Sequence, residues 1–221
     1  ISWYIEKLLN ERHGELNKKQ KGYLEEVSKS NRRVTDLVQA IVNVSRTDLD
    51  RVKHKHERFD LAPHVIRVVD EQRPSARAKN IQLRVHIHHK ELTLINSDQE
   101  LVDVALKNII INAVRYTPDG GEVQVTTRDA QVHEKLGGLE IGQGGYVVSI
   151  EDNGIGIPDE DKSSVFNKLF RATNVQALDV TGVGLGLYIT QRFIQILGGH
   201  VWFESKLREG TTFYIYVPNG A

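Results

Sequence analysis

Two asparagines four residues apart are candidate ligands for a metal ion. In the segment Asn108-Ile-Ile-Ile-Asn112-Ala-Val-Arg115 this spacing puts both amides on one face of a helix, while residues 109–111 are expected to turn toward the core. Asparagine is a poor helix former, so two of them here need a reason. Amide oxygens are suitable ligands for Mg²⁺, and Arg115, one turn later, could hold a phosphate. Taken alone, the segment fits a pair of surface asparagines better.

An acidic turn follows an apolar stretch later in the chain. Glu151-Asp152-Asn153-Gly154-Ile155-Gly156 comes directly after residues 146–150, which have the composition of a strand. A carboxylate at a strand end can accept a hydrogen bond from the exocyclic amine of a base, and Asp152 fits that role with adenine. Gly154 and Gly156 allow close approach of a ligand to the backbone. Ordinary Asp-Asn-Gly turns are also common.

A third segment, Thr181-Gly182-Val183-Gly184-Leu185-Gly186-Leu187, immediately precedes a predicted helix. Glycine-rich turns that lead into a helix N-terminus present free N–H groups to phosphate. The segment lacks the lysine of a Walker A loop, and no strand directly precedes it. It is therefore neither a P-loop nor a Rossmann fingerprint, and by itself it is weak evidence for a ligand.

Together these segments resemble the catalytic domain of sensor histidine kinases, within the gyrase–Hsp90–histidine kinase–MutL ATPase superfamily. Residues 108–117 resemble the family's N box, residues 152–156 its G1 box and residues 182–186 its G2 box. Phe166-Asn-Lys-Leu-Phe170-Arg171 resembles the F box of the ATP lid, which implies a mobile lid over residues 158–181. The order and spacing match, and the resemblance covers nearly the whole chain.

The resemblance implies a role for each matched residue. Asn108 and Asn112 are implied in Mg²⁺ binding, and with Arg115, in the place of a phosphate-contacting base, they form the implied catalytic set. Tyr116 takes the place of an adenine-stacking aromatic, and Asp152 is implied in adenine recognition. The implied nucleotide-contacting residues are Asn112, Arg115, Tyr116, Asp152, Gly154, Gly156, Phe166, Phe170, Arg171, Thr181, Gly182, Gly184, Leu185 and Gly186.

The activity implied by the resemblance is transfer of the ATP γ-phosphoryl group to a histidine and onward to an aspartate of a response-regulator receiver domain. ATP and Mg²⁺ are the implied cofactors. Two alternatives stay open. A gyrase-like ATPase of the same superfamily would need a general-base carboxylate where Asn108 stands, and a transducer domain after residue 221. A nucleotide-binding scaffold or pseudokinase would retain the boxes without the activity.

The phosphate-accepting histidine of the family is not visible in the sequence. Its motif is expected just upstream of Ile1, and His13 lacks the acidic neighbour that accompanies it. We therefore expect that this chain alone does not label itself stably with phosphate. His86 and His88 share a strand face and are expected to be solvated rather than to bind metal, and His200 is expected to start a strand.

The amino-acid composition excludes some classes of binding partner and some kinds of chemistry. Lys plus Arg equals Asp plus Glu at 29 each, so bulk charge gives no reason to expect nucleic acid or an anionic membrane. Cysteine is absent, which excludes disulfides and thiol chemistry. No apolar run approaches the roughly 20 residues that span a bilayer. We expect a cytoplasmic fragment without membrane contact, from a parent protein that could itself be membrane-anchored.

The N-terminal part of the chain is predicted to form two helices. Residues 1–14 are predicted to end a helix, and Asn17 with Gln20 to form a capping box that opens a second one. The second helix carries apolar residues spaced by alternating threes and fours, which is typical of a helical bundle. Its seam consists of Leu24, Val27, Asn31, Val34, Val38, Ile41 and Ser45, broadened by Leu37 and Val42.

A hairpin of two such helices cannot bury both stripes alone. Pairing with a second copy to give a dimeric four-helix bundle is the preferred interpretation, and packing of a monomeric hairpin on the following domain is the alternative. We predict the hairpin over residues 1–50, a linker over 51–60 and an ATP-binding domain over 61–221.

The predicted fold class is α+β: the helical hairpin, then a sandwich of a mixed sheet with helices on one face. Asp60 and Asp98 are predicted helix N-caps, and residues 129–145 a long hairpin loop. Further helices are expected to end near residue 116 and to span 185–197. Strands are predicted over 81–87, 123–125, 146–150, 201–205 and 211–217.

Overall fold

The chain begins with two helices of unequal length. The computed structural model describes residues 2–10, 14–48, 55–88, 94–176 and 183–220. Helix α1 spans Ser2–Leu9 and helix α2 spans Lys18–Asp48. The predicted capping box is confirmed: Asn17 Oδ1 accepts from the N–H groups of Lys19 and Gln20 at 3.1 and 3.0 Å, and Gln20 Oε1 accepts from Asn17 N–H at 3.0 Å.

Three apolar residues of the predicted seam of α2, Val27, Val34 and Val38, are exposed in the described part of the chain. Val34 and Val38 are 58% and 56% exposed, and Val27 is also exposed, although all three belong to the apolar stripe. The side chains of Leu37, Ile41, Val42 and Ser45 lie outside the described part of the structure. No helix among the described residues combines the length and the apolar character needed to cross a bilayer.

Two helices of the predicted ATP-binding domain begin at aspartate N-caps. Helix α3 spans Leu61–Ala78 and helix α4 spans Gln99–Tyr116. Asp60 Oδ1 accepts from the N–H of Ala62, and Asp98 Oδ1 accepts from the N–H groups of Glu100 and Leu101, so both predicted N-caps are confirmed.

The main sheet has five strands in the order β2-β4-β7-β9-β8. Strand β2 is parallel to β4 and every other pair is antiparallel, so the sheet is mixed as predicted. The α+β class is therefore confirmed. The strands are β2 Gln82–His88, β4 Glu122–Ala130, β7 Gly145–Asp152, β8 His200–Lys206 and β9 Gly210–Pro218.

Helices pack on one face of this sheet and form a continuous core with it. Helix α6, Gly186–Ile196, lies beside α4, and a four-residue helix α5, Thr173–Gln176, precedes it. Ile109 and Ile110 of α4 are fully buried against Ile150 and Ile215 of the sheet. Alternation along the strands and the 3.6-residue period of the helices place these apolar residues in one layer.

Four short strands lie outside the strands predicted from the sequence. Strand β1, Glu57–Asp60, lies in the predicted linker and pairs antiparallel with β3, Leu94–Ser97, so the linker of 51–60 is corrected at its C-terminal end. The predicted loop 129–145 contains a small hairpin of β5, Lys135–Leu136, and β6, Leu139–Glu140. The hairpin packs on the face of the sheet opposite to the helices, with Leu136 buried beside Trp202.

Candidate functional site

A cavity of about 520 Å³ opens between α4, the ends of β7 and β9, and the start of α6. Its size lies within the range of small-molecule sites. Most of the residues singled out from the sequence line its wall: Asn108, Asn112, Arg115, Tyr116, Asp152, Gly156, Phe170, Arg171, Gly184, Leu185 and Gly186. Segments that lie far apart in the chain thus share one cavity.

Helix α4 forms one side of the cavity. Asn108 and Asn112 both line it, as their spacing predicts. The side-chain N–H₂ of Asn108 donates to the carbonyl of Gly186 at 3.1 Å and to Thr190 Oγ1 at 3.4 Å, which fixes the orientation of the amide between α4 and α6. Ile111 also lines the cavity, so the expectation that it turns toward the core with Ile109 and Ile110 is corrected.

The C-terminal end of α4 is held by a lysine from a different part of the chain. Lys79 Nζ donates to the carbonyls of Val114 and Arg115 at 3.0 Å each, and to that of Thr117. A cation at a helix C-terminus satisfies carbonyls that have no partner inside the helix and complements the helix dipole. Burial lowers the pKa of Lys79 despite the nearby carboxylate of Asp119. The contacts fix the last turn of α4, which carries Arg115 and Tyr116.

Asp152 ends β7 with its carboxyl group buried at the cavity wall. Only 8% of the residue is exposed, and this burial raises its pKa to about 6. Hydrogen bonds from the N–H groups of Gly154, at 2.9 Å, and Thr211 oppose the shift, while the nearby charge of Glu151 adds to it. The group therefore remains mostly ionised at neutral pH and can accept a hydrogen bond from a ligand.

The turn after Asp152 needs glycine for steric reasons. Gly156 has a φ of +63°, and a Cβ atom there would collide with the carbonyl of Lys206. A Cβ on Gly154 would come within 2.6 Å of Asp152 Oδ1 and 2.7 Å of the Tyr116 carbonyl. Gly154 lies outside the cavity wall and lets the turn pack against α4, so its expected contact with a ligand stays a prediction.

The glycine-rich segment brings a helix N-terminus to the cavity. Gly184 and Leu185 line the wall directly before α6, and Leu185, its N-cap, makes no capping bond through its side chain. N–H groups in the first turn of a helix have no partner inside the helix, and they are suited to binding an anion. A Cβ on Gly184, whose φ is +72°, would come within 2.5 Å of the Phe170 carbonyl. Thr181 and Gly182 lie outside the described residues.

Hydrogen bonds fix the described part of the expected lid, residues 158–176, to itself and to the turn at Gly156. A 3₁₀ helix, Asp159–Ser164, follows the G1 turn, and the buried carboxylate of Asp161 accepts from the N–H and Oγ1 of Thr173 at 2.7 and 2.9 Å. Asn174 Nδ2 donates to the Gly156 carbonyl at 2.9 Å. These bonds hold Phe170 and Arg171 in the wall.

Phe166 lies outside the cavity wall, so its expected contact with a nucleotide stays a prediction. Its ring packs edge-on against Phe203, with centroids 5.9 Å apart, and it belongs to the core rather than to the cavity wall. Phe166 therefore anchors the F box, while Phe170 reaches the cavity.

Sequence reasoning missed several wall residues, among them Lys107, Ile155, Ile157, Thr211 and Phe213. The register of β7 with β9, which pairs Asp152 with Thr211, brings Thr211 to the site. Pairing between strands some 60 residues apart is not visible in a single sequence. The local signals available were the position of Lys107 directly before Asn108 and the positions of Ile155 and Ile157 on either side of Gly156.

The charged side chains of the cavity wall are mostly basic. Its basic side chains are Lys107, Arg115 and Arg171, and Asp152 is the one carboxylate among the described wall residues. A ligand that suits this arrangement is anionic over part of its length, with a hydrogen-bond donor and an apolar body at the Asp152 end. A phosphorylated purine has these properties.

Three of the histidines singled out from the sequence, His86, His88 and His200, lie away from the cavity wall. His86 and His88 are exposed on β2 with rings stacked 6.2 Å apart, and His200 begins β8 as predicted. No group of three or more His, Asp or Glu side chains suited to a metal ion occurs among the described residues. His13 lies outside them.

A family model matches this part of the chain. Residues 97–221 match the family described as histidine kinase-, DNA gyrase B- and HSP90-like ATPase. Among curated proteins, sensor histidine kinase WalK of Bacillus subtilis is 27% identical over 84% of this chain and 28% of its own length. Adaptive-response sensory kinase SasA of Prochlorococcus marinus is 31% identical over 63% of this chain and 34% of its own length. The chain thus spans about a third or less of these relatives.

Solved structures have the same fold. The nucleotide-free catalytic domain of histidine kinase ThkA is 25% identical with a TM-score of 0.60, covering 75% of this chain and 96% of that one. Full-length ShkA in complex with AMPPNP is 21% identical with a TM-score of 0.72, covering all of this chain and 45% of that one. The second likeness extends to the helices α1 and α2.

Proposed function

The chain belongs to the histidine kinase-, DNA gyrase B- and HSP90-like ATPase family, and from this we propose that it is the ATP-binding core of a two-component histidine kinase. In this proposal the ATP γ-phosphoryl group passes to a histidine outside the motifs present here, and then to an aspartate of a response-regulator receiver domain in the cytoplasm. One observation carries the proposal: Asn108, Asn112, Asp152 and the N-terminus of α6 line a single cavity.

Adenine is assigned to the Asp152 end of the cavity. The buried carboxylate accepts a hydrogen bond from the exocyclic amine, a donor that guanine does not offer at the same position. Tyr116, half-buried in the wall one turn after Asn112, offers an aromatic face for the base. Ile155 N–H donates to the Tyr116 carbonyl at 3.2 Å, which ties the two adenine-contacting segments together.

The triphosphate is assigned to the part of the cavity near the start of α6. The N–H groups in the first turn of α6 supply donors there, and Arg171 and Arg115, the latter reaching from the C-terminal end of α4, supply positive charge to phosphate oxygens. Such positioning and charge neutralisation account for most of the catalysis of phosphoryl transfer. We assign no catalytic base.

Mg²⁺ fits the donor set in the same region. Asn112 and Asn108 are the two amide side chains of α4 that line the cavity, and the amide nitrogen of Asn108 is already hydrogen-bonded to Gly186 and Thr190. That leaves the amide oxygen as the end of Asn108 suited to a hard cation, alongside phosphate oxygens and water. The bound ion would neutralise charge that develops between the β- and γ-phosphates.

ATP hydrolysis of the gyrase type is less well supported. It would require a general-base carboxylate where Asn108 stands, and Asn108 is instead a hydrogen-bonded amide that joins α4 to α6. A neutral amide is a poor base. The histidine kinase function is therefore preferred within the family.

Phosphorylation of a longer form of the protein tests the proposal. We expect a form of the protein that carries the phosphate-accepting histidine to incorporate label from γ-labelled ATP, as phosphate that is acid-labile and base-stable. The same form carrying Asp152→Asn serves as the control and should incorporate far less. Label that is stable to acid, or incorporation that is unchanged in the control, would contradict the proposed function.

We also propose that α1 and α2 pair with the hairpin of a second copy. The exposed seam residues Val27, Val34 and Val38 support this, because a contiguous apolar stripe on a surface helix requires a partner. Replacing Val34 and Val38 together by Glu should convert a dimer to a monomer whose ATP-binding domain stays folded.

Light scattering across a concentration series, with circular dichroism for folding, measures this outcome. Glu25→Lys, an exposed change of charge outside the stripe on the same helix, is the matched control and should remain dimeric. A monomeric unaltered chain at high concentration would refute pairing through this stripe.

A further inference from the structure

Lys107 lies in the cavity wall but is bound to a carboxylate outside it. Its Nζ lies 3.0 Å from Glu71 Oε2 of α3, and the two side chains are 50% and 38% exposed. Ion pairs this exposed are worth about 0–1 kcal/mol because water screens them. Lys107 can therefore leave Glu71 at little cost when a stronger anion is present.

Glu71 does not depend on Lys107 for compensation of its charge. Arg67 NH1 contacts the other carboxylate oxygen, Oε1, at 2.9 Å, and Arg67 NH2 reaches Asp103 Oδ2 at 2.5 Å. Lys107 first, and Arg67 second, hold the pKa of Glu71 below its usual range, so the carboxylate is ionised at neutral pH. If Lys107 moves away, Glu71 keeps a cationic partner.

The position of Lys107 along α4 indicates which part of a nucleotide it can reach. The Asp152 turn contacts the C-terminal end of α4 through the Tyr116 carbonyl. At a rise of about 1.5 Å per residue, Lys107 lies roughly 13 Å along the helix from Tyr116. That is the scale of an extended nucleoside triphosphate. Asn108, the next residue, contacts the start of α6, so Lys107 lies at the phosphate end.

We propose that Lys107 exchanges Glu71 for the terminal phosphate of the nucleotide and thereby makes the site prefer ATP to ADP. The inference rests on the proposed function, because it takes the Asp152 end to hold adenine. Glu71 then acts as an internal competitor: it holds Lys107 when ADP is bound or the cavity is unfilled, and releases it to the added negative charge of a γ-phosphate.

Affinities for ATP and ADP, measured by calorimetry in the presence of Mg²⁺, test this exchange. Lys107→Gln should weaken ATP binding about three- to tenfold and change ADP binding by less than about twofold. Lys107→Arg should retain the preference, because it retains the charge. A change in the ratio of the two affinities is not expected from a loss of stability, which affects both nucleotides equally.

Glu71→Gln probes the other half of the exchange. Removing the competing carboxylate should strengthen ATP binding by about two- to fivefold, and this gain should vanish when Lys107→Gln is added. Lys206→Gln is the matched control, because Lys206 is an exposed lysine paired with Glu209 outside the cavity. Its ratio of ATP to ADP affinity should equal that of the unaltered chain.

The outcomes separate the two proposals. An unaltered chain that binds neither nucleotide would overturn the proposed function and this inference together. A chain that binds both, with the same ATP-to-ADP ratio before and after Lys107→Gln, would overturn this inference alone.

Discussion

Asp152→Asn should weaken binding of ATP and ADP about tenfold to hundredfold while leaving the fold intact. The carboxylate is buried at the cavity wall and oriented by N–H groups of Gly154 and Thr211. An asparagine in the same orientation can present an N–H₂ group to the adenine amine, so an acceptor is replaced by a donor. Loss of one charge-assisted hydrogen bond costs about 1.5–3 kcal/mol. Calorimetry with ADP measures the effect.

A neighbouring carboxylate supplies the control. Glu151 precedes Asp152 on β7 but is exposed and does not line the cavity. Glu151→Gln should therefore retain nearly the full affinity for ADP. Equal affinities in the unaltered chain and in Asp152→Asn would mean that adenine is not recognised by this carboxylate.

The raised pKa of Asp152 gives the same contact a pH signature. Its pKa of about 6 lies above the ordinary 3.8, so the unliganded folded state takes up a proton that the unfolded chain does not hold between these values. The contribution of this group to the free energy of unfolding is present below that window and is lost as the pH rises through about 6. The affinity for nucleotide should change in the opposite direction and increase as the pH rises, because the adenine amine donates its hydrogen bond to the ionised form of Asp152.

Affinity for ADP should thus be nearly constant above pH 7 and fall as the pH drops through 6, approaching about tenfold per pH unit for a single proton. Comparison with Asp152→Asn at each pH removes the titration of the nucleotide itself. A pH profile of the same slope in both proteins would contradict the assignment.

Asn112→Ala should abolish the dependence of ATP binding on Mg²⁺. Asn112 lines the cavity on the same face of α4 as Asn108, and its amide oxygen is a suitable ligand for a hard cation. Loss of a ligand is expected to reduce metal affinity by at least about tenfold, since even the loss of a residue that only orients a ligand has that effect. The measurement is the ratio of ATP affinities with Mg²⁺ and with a chelator.

Asn108→Ala is the companion change, although its effect is less simple. Its side chain also joins α4 to α6 through Gly186 and Thr190, so some loss of stability accompanies the loss of the ligand. Gln99→Ala removes an amide from the same helix outside the cavity and is the matched control. If Mg²⁺ strengthens ATP binding equally in all four proteins, the two asparagines are not metal ligands.

Local sequence patterns predict the positions of the longer helices and of most strands of the main sheet. Asn17, Asp60 and Asp98 cap helices because their side-chain oxygens accept from N–H groups two or three residues away, which is a property of the local sequence. The strands β1 and β3 were missed because each has four residues and derives its stability from the other, across more than thirty residues of chain. Residues 129–145 are predicted only as a long hairpin loop, because the small β5–β6 hairpin within it is stabilised by packing on Trp202, far away in the sequence.

The sequence by itself determined the local arrangement of part of the site. The helical period puts Asn108 and Asn112 on one face, and the glycines at 156 and 184 stand where the backbone takes positive φ. These are constraints within a few residues, so residue type and spacing carry them.

Only the tertiary structure decided how those side chains behave. The pKa of Asp152 rises because strands and helices from the rest of the chain exclude water from it. Lys79 holds the end of α4, and Glu71 holds Lys107, each from about 36 positions away. Desolvation and ion pairing depend on distances between groups that are far apart in the sequence. These distances are fixed by tertiary packing, so local sequence patterns do not reveal them.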